Sequence, residues 1–171
     1  MATNLHLRNT TTSGIADTGD ALVYDLIDTA GTSPDTAVVT ATASGTDIQL
    51  TKTAGGSSIA WISGRVPAGG FTLTTSTFNG IWLESAMSVN ATDRFRIYRY
   101  IPGTPTITEL GGSPFSNTVE FGTSATLTTI VGNNTDQAFN EDDRILIRLY
   151  ITNVGTMGAG TCTATFNGII L

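Results

Sequence analysis

Between Arg144 and Thr152 the chain alternates strictly enough to fix its local structure. Ile145, Ile147, Leu149 and Ile151 fall on one parity, Arg144, Arg148 and Thr152 on the other. Side chains of a β-strand leave on opposite faces in turn, so a period of two marks a strand with one face in a core. Residues Thr161 to Phe166 repeat the scheme, with Cys162, Ala164 and Phe166 set against three outward threonines. No stretch of roughly ten or more residues carries the 3.6-residue apolar repeat of a long helix. Such a chain is all-β.

The rest of the sequence fills in that architecture. Strands are expected at Leu5–Leu7, Ala21–Ile27, Thr36–Ala43, Ile48–Leu50, Ile59–Ile62, Phe71–Leu73, Ile81–Met87, Phe95–Ile101, Thr106–Leu110 and Leu127–Val131, followed by the final pair. Between them lie Gly55-Gly56-Ser57-Ser58, Pro67-Ala68-Gly69-Gly70, Pro102-Gly103 and Gly111-Gly112-Ser113-Pro114, all turn chemistry. The polar stretches Asn9–Asp20 and Gly132–Asp136 are expected as a loop and a turn. Many short strands at spacings of about 8–15 residues are the signature of a sandwich or barrel. No unit repeats at the period of a propeller or solenoid. A single antiparallel β-sandwich of jelly-roll type, one domain over residues 1–171, is the expected fold. Met1 to Thr12 is polar and rich in Thr and Asn, a candidate docking arm whose alternative is an ordinary first strand plus loop.

Composition narrows the function. The 171 residues carry a net charge of −6, only 13% are charged, and close to a fifth are threonine. An acidic chain whose basic residues are Lys52 and seven scattered arginines is a poor partner for nucleic acid or an anionic membrane. Cys162 is the only cysteine, so no intrachain disulfide forms, and its parity suggests a core thiol. The first residues lack the basic and apolar regions of a secretory leader, and no apolar run is long enough to span a bilayer, so folding in a cytoplasm is expected. No cofactor is expected.

Candidate chemistry is sparse. His6, the single histidine, alternates with Leu5 and Leu7 and reads as a solvated strand residue rather than a catalytic base. Two acidic clusters offer weak calcium ligands: Asp17 and Asp20, near Asp25 and Asp28, and Glu141-Asp142-Asp143. Neither has the spacing of an EF-hand loop, and acidic turns also occur for solubility. Trp61, Trp82, Tyr98 and Tyr100 are candidates for stacking sugar rings, the alternative being that they belong to the core. Arg94, Arg96 and Arg99 lie on one strand, Arg94 and Arg96 on one face. They are interface candidates together with Leu5 and Arg8, since the guanidinium fork pairs carboxylates across contacts. Pairing within the chain, to Glu84 or Glu109 on a neighbouring strand, is the simpler alternative.

The run Trp61-Ile62-Ser63-Gly64-Arg65-Val66-Pro67-Ala68-Gly69-Gly70-Phe71-Thr72-Leu73, then Trp82-Leu83-Glu84-Ser85 and Arg94-Phe95-Arg96-Ile97-Tyr98-Arg99, resembles Thr/Gly-rich β-sandwiches among the virion proteins of tailed bacteriophages. Phe139-Asn140-Glu141-Asp142-Asp143-Arg144-Ile145-Leu146-Ile147 is similar to the turn and strand near the end of many jelly rolls. The resemblance covers most of the chain from Trp61 onward. It implies a structural virion protein without catalytic residues, foremost a capsid decoration (cement) protein that stabilises the head. Its partners would be the major capsid protein or other virion subunits, and it would work as a homo-oligomer, a trimer by analogy. The alternatives are a head-fibre, tail or baseplate component, or a carbohydrate-binding module.

Overall fold

The computed structural model describes residues 4–11, 15, 18–27, 35–41, 48–51, 58–85, 91–104, 106–113, 115–116, 126–153 and 160–170, in part by backbone alone. Every regular element among them is a strand: β1 (Asn4–Thr11), β2 (Leu22–Ile27), β3 (Asp35–Ala41), β4 (Ile48–Gln49), β5 (Ile59–Ser63), β6 (Phe71–Ser85), β7 (Ala91–Ile101), β8 (Thr106–Glu109), β9 (Phe115–Ser116), β10 (Thr126–Phe139), β11 (Arg144–Asn153) and β12 (Gly160–Ile170). The ladders run β10-β6-β12-β1-β2-β5-β11-β7-β8, with β3 on β12, β4 on β11 and β9 on β7. β1 belongs to both halves of this path. Asn4 and Leu5 pair with Ile170 and Ile169 of β12, and from His6 onward β1 pairs with β2.

The two halves face each other, which makes the fold a β-sandwich. One inner face supplies Leu73, Phe78, Ile130 and Phe139; the other supplies Leu26, Trp61, Phe95, Ile97 and the odd-numbered residues Ile145 to Ile151. Phe78 and Phe95 meet across the gap, ring centroids 5.7 Å apart. The ladders are antiparallel except β2–β5, which is parallel, with Leu22 beside Ile59 and Leu26 beside Ser63.

Several boundaries differ from the expectation. Phe71–Leu73 and Ile81–Met87 are not two strands: Phe71–Ser85 is one strand of 15 residues. Its centre lies between β10 and β12, so ladders on both sides outweigh the turn-like Asn79-Gly80. The Gly132–Asp136 turn is instead strand, accommodated by a register shift between Asn133 and Gln137. The expected loop from Asn9 begins later, because β1 runs to Thr11. That strand also replaces the docking arm over its span, since Leu5 and Leu7 are buried in the core.

A further departure concerns the outer face of the β2-β5-β11-β7-β8 half. Ala60, Ile62, Tyr98, Tyr100 and Leu146 form a second buried cluster there, with Ile15, Val23 and Ile107 packed against it. β5 is consequently buried along its whole length. Its unbroken Ile-Ala-Trp-Ile run is what a strand covered on both faces looks like in sequence.

Candidate functional site

The outer cluster is ringed by arginines. On β11 the parity opposite the core carries Arg144, Leu146, Arg148 and Tyr150; on β7 it carries Arg94, Arg96, Tyr98 and Tyr100. The ladder sets Arg144 beside Tyr100, Leu146 beside Tyr98, Arg148 beside Arg96 and Tyr150 beside Arg94. Two guanidiniums directly opposite each other repel, and each is given its own carboxylate. Arg148 Nε donates to both Asp20 oxygens at 3.1 Å, and its Nη2 donates to Asp20 Oδ2 at 2.9 Å and to the Thr18 carbonyl. Arg96 Nη1 donates to Glu109 at 3.0 and 3.3 Å, and Ser113 Oγ donates to the same carboxylate at 2.9 Å.

Both guanidiniums also lie over rings, Arg148 4.8 Å from the Tyr98 centroid and Arg96 5.2 Å from that of Tyr150. Burial opposes the Arg148 charge, but hydrogen bonding and attraction to Asp20, with Tyr98 adding, hold its pKa above the ordinary value. Burial, reinforced by a hydrogen bond with Tyr98, raises the Tyr150 hydroxyl well above the usual tyrosine range. Gln49 Nε2 donates to Asp20 Oδ1 at 2.7 Å and to the Ile59 carbonyl at 2.8 Å, tying the loop before β2 to β4 and β5.

A second polar constellation closes one end of the sandwich. Arg99 has inward parity, yet it lies past the apolar core, and its Nε donates to Asp143 Oδ2 at 2.6 Å. The same oxygen accepts from the Asn140 amide at 2.7 Å, closing the turn between β10 and β11. Asp142 takes a left-handed backbone (φ 69°). Its amide donates to the Val66 carbonyl, and the Val66 amide donates to the Asp143 backbone carbonyl. Ser63 Oγ accepts from the Ile145 amide, and Arg144 donates to the Ser63 carbonyl.

These contacts revise the site readings. The calcium candidates Asp20 and Asp143 are counter-ions whose side chains are 2% and 4% exposed. Both Asp20 oxygens accept from Arg148, and Oδ1 also from Gln49, while Asp143 Oδ2 accepts from Arg99 and the Asn140 amide. Asp142 pairs with Arg65 in the open, and Glu141 is exposed. Asp17 and Asp28 lie outside the described residues. Among the described residues, no three His, Cys, Asp or Glu side chains converge on a cation position.

The sugar-stacking reading loses three of its four rings. Trp61 is 2% exposed, inside the core with Tyr24 at 6.3 Å, and Tyr98 and Tyr100 are sealed into the outer cluster. A pyranose needs an open ring face. The Trp82 and Arg8 side chains are outside the described residues, although both backbones are in strands. Leu5 is core rather than interface. Of the arginine row, Arg96 makes the expected pairing with Glu109 and Arg99 goes to Asp143, while Arg94 stays partly exposed on the outer face. Sequence reasoning missed the Arg148–Asp20 pair. Only the outward parity of Arg148 hinted at it, because the partner lies 128 positions away.

No family model matches the chain, and no curated protein matches it. Among solved structures it is similar to a CocE/NonD family hydrolase from Staphylococcus aureus, with a TM-score of 0.57 at 9% identity over 99% of this chain and 36% of that one. It is equally similar to an aminopeptidase from the marine sediment archaeon Thaumarchaeota archaeon, with a TM-score of 0.56 at 9% identity over 99% of this chain and 36% of that one. The chain thus spans about a third of the length of these enzymes, and at such identity the likeness is one of fold. The class is a β-sandwich. No helix among the described residues is long and apolar enough to cross a membrane.

Proposed function

We propose that this chain is a structural protein of a virion, which binds the outer capsid surface of a tailed bacteriophage and stabilises the head by contact, without catalysis. Several copies act together, because a sandwich of this size presents only about 800 Å² to each partner and linked weak contacts multiply into avidity. The protein is made in the host cytoplasm and assembles there with the major capsid protein or another virion subunit.

The observation that supports this reading is how the ionisable groups are used. Arg148 with Asp20, Arg96 with Glu109 and Arg99 with Asp143 each end on a partner within the chain, and all three pairs stiffen the sandwich. Threonine hydroxyls recur among the exposed residues described, at Thr72, Thr74, Thr75, Thr104, Thr106, Thr108 and Thr129. A rigid, weakly charged, hydroxyl-rich body suits a subunit that acts by shape.

The test is mass spectrometry of purified phage particles from a lysate producing the protein, followed by cryo-electron microscopy of those particles. The expected result is a stoichiometric component seen as density on the capsid exterior. Recovery only as free protein, with none in the particles, overturns the proposal.

A further inference from the structure

An exposed strand edge is an open template for another strand, and natural sheets guard their edges with short strands, charges, prolines or bulges. The path of ladders here ends at β8 and at β10. β8 is only four residues long and ends in Glu109. The later half of β10 is interrupted by its register shift and carries the exposed Asp136. The first half has no such guard. Thr126 to Asn133 contains no charge and no proline, and it pairs without interruption with Trp82 to Thr75 of β6. Among the described strands, β6 is its only ladder partner.

Its outward parity is apolar where water should be. Leu127 is 59% exposed and Val131 62%, with the exposed Thr129 between them, while Ile130 on the opposite face is buried in the core. These three outward residues are symmetric about Thr129 in a way that matters only to a second copy. In an antiparallel pair with Thr129 opposite Thr129 of the other copy, Leu127 of each falls opposite Val131 of the other. That gives one Thr–Thr and two apolar cross-strand pairs, all of favourable type. A slip of two residues sets Leu127 against Thr129 and breaks both apolar pairs, so the pattern specifies its own register. The contact also avoids charge, which an acidic chain approaching its own copy requires.

We propose that a second copy of this chain docks along the first half of β10, continuing the β10-β6-β12 sheet across a two-fold axis at Thr129. The contact is isologous and closes with two copies, in place of the trimer expected by analogy. It goes beyond the capsid reading and does not depend on it.

Light scattering on the size-excluded protein at tens of micromolar tests this directly. The expected mass is twice the 17.8 kDa of one chain. Leu127→Lys combined with Val131→Lys sets like charges opposite each other and is expected to weaken the pair roughly tenfold or more. Leu127→Lys combined with Val131→Glu sets opposite charges there and is expected to keep the dimer. Circular dichroism establishes that each variant is folded. Should the double-lysine variant unfold, a Thr129→Cys variant under mild oxidation decides, the expected product being a covalent dimer linked through position 129. A monomeric or trimeric wild type, loss of the dimer in both charge variants alike, its persistence in the double-lysine variant, or no link through position 129 each overturns the proposal. Since mass in solution is the readout, such a failure leaves the capsid reading standing, and absence from particles leaves the dimer standing.

Discussion

Asp143 shows how a carboxylate can look like a ligand in sequence and be a fastener in the fold. It is buried, and one of its oxygens serves both the Arg99 guanidinium and the Asn140 amide. Asp143→Ala leaves a partly buried cation and a turn amide without their acceptor, and is expected to cost about 2–4 kcal/mol in denaturant unfolding. Asp143→Asn keeps an acceptor but no charge and should recover about half of that. An unchanged midpoint for the alanine variant would show that water replaces the carboxylate without loss. At this scale the sequence was only partly legible. The alternation of Ile145 to Ile151 locates the core face, and Arg96 finds Glu109 on the neighbouring strand. Nothing local tells Asp20 that its partner is Arg148, because such pairs are set by which strands become neighbours.

At the scale of elements, Gly70 links turn to ladder. It follows the Pro67–Gly69 turn in a left-handed conformation (φ 61°), and a Cβ there would run into the Phe139 carbonyl oxygen. That close approach starts the β6–β10 ladder, where Phe71 pairs with Phe139 and the rings stack 5.0 Å apart. Gly70→Ala combines an unfavourable φ with a backbone clash and is expected to cost about 2–4 kcal/mol, measured as a lower denaturant midpoint. Gly64→Ala is the control: a Cβ there meets nothing within 4 Å, and the change should be within about 0.5 kcal/mol. The turn at residues 67–70 could be read from its Pro and Gly residues. The length of β6 and β10 could not, because polar Thr- and Asn-rich segments become strand only when a neighbouring ladder holds them.

For the molecule as a whole, the all-β sandwich was legible from alternation and turn spacing, whereas the parallel β2–β5 pair and the second cluster on the outer face were not. Both depend on how distant segments stack. Burial of tyrosine also sets an alkaline limit. Tyr24 and Tyr150 have native pKa values raised above the ordinary tyrosine value of about 10, chiefly by burial. The native state therefore keeps protons that the unfolded chain releases. The stability they contribute is complete below pH ~10 and is lost as pH rises toward the native values. Melting temperatures should be level from neutral pH to about 9 and fall above about 10, with the tyrosinate absorbance of Tyr150 appearing only on unfolding. Ionisation of Tyr150 in the native protein near the ordinary tyrosine value would count against it. The pairing of Asn4 with Ile170 has another consequence. During synthesis β1 leaves the ribosome well before β12, so the ladder joining the two halves cannot form until β12 has been made. Until then the nascent chain carries open strand edges, and it falls to chaperones to keep neighbouring chains on a polysome apart.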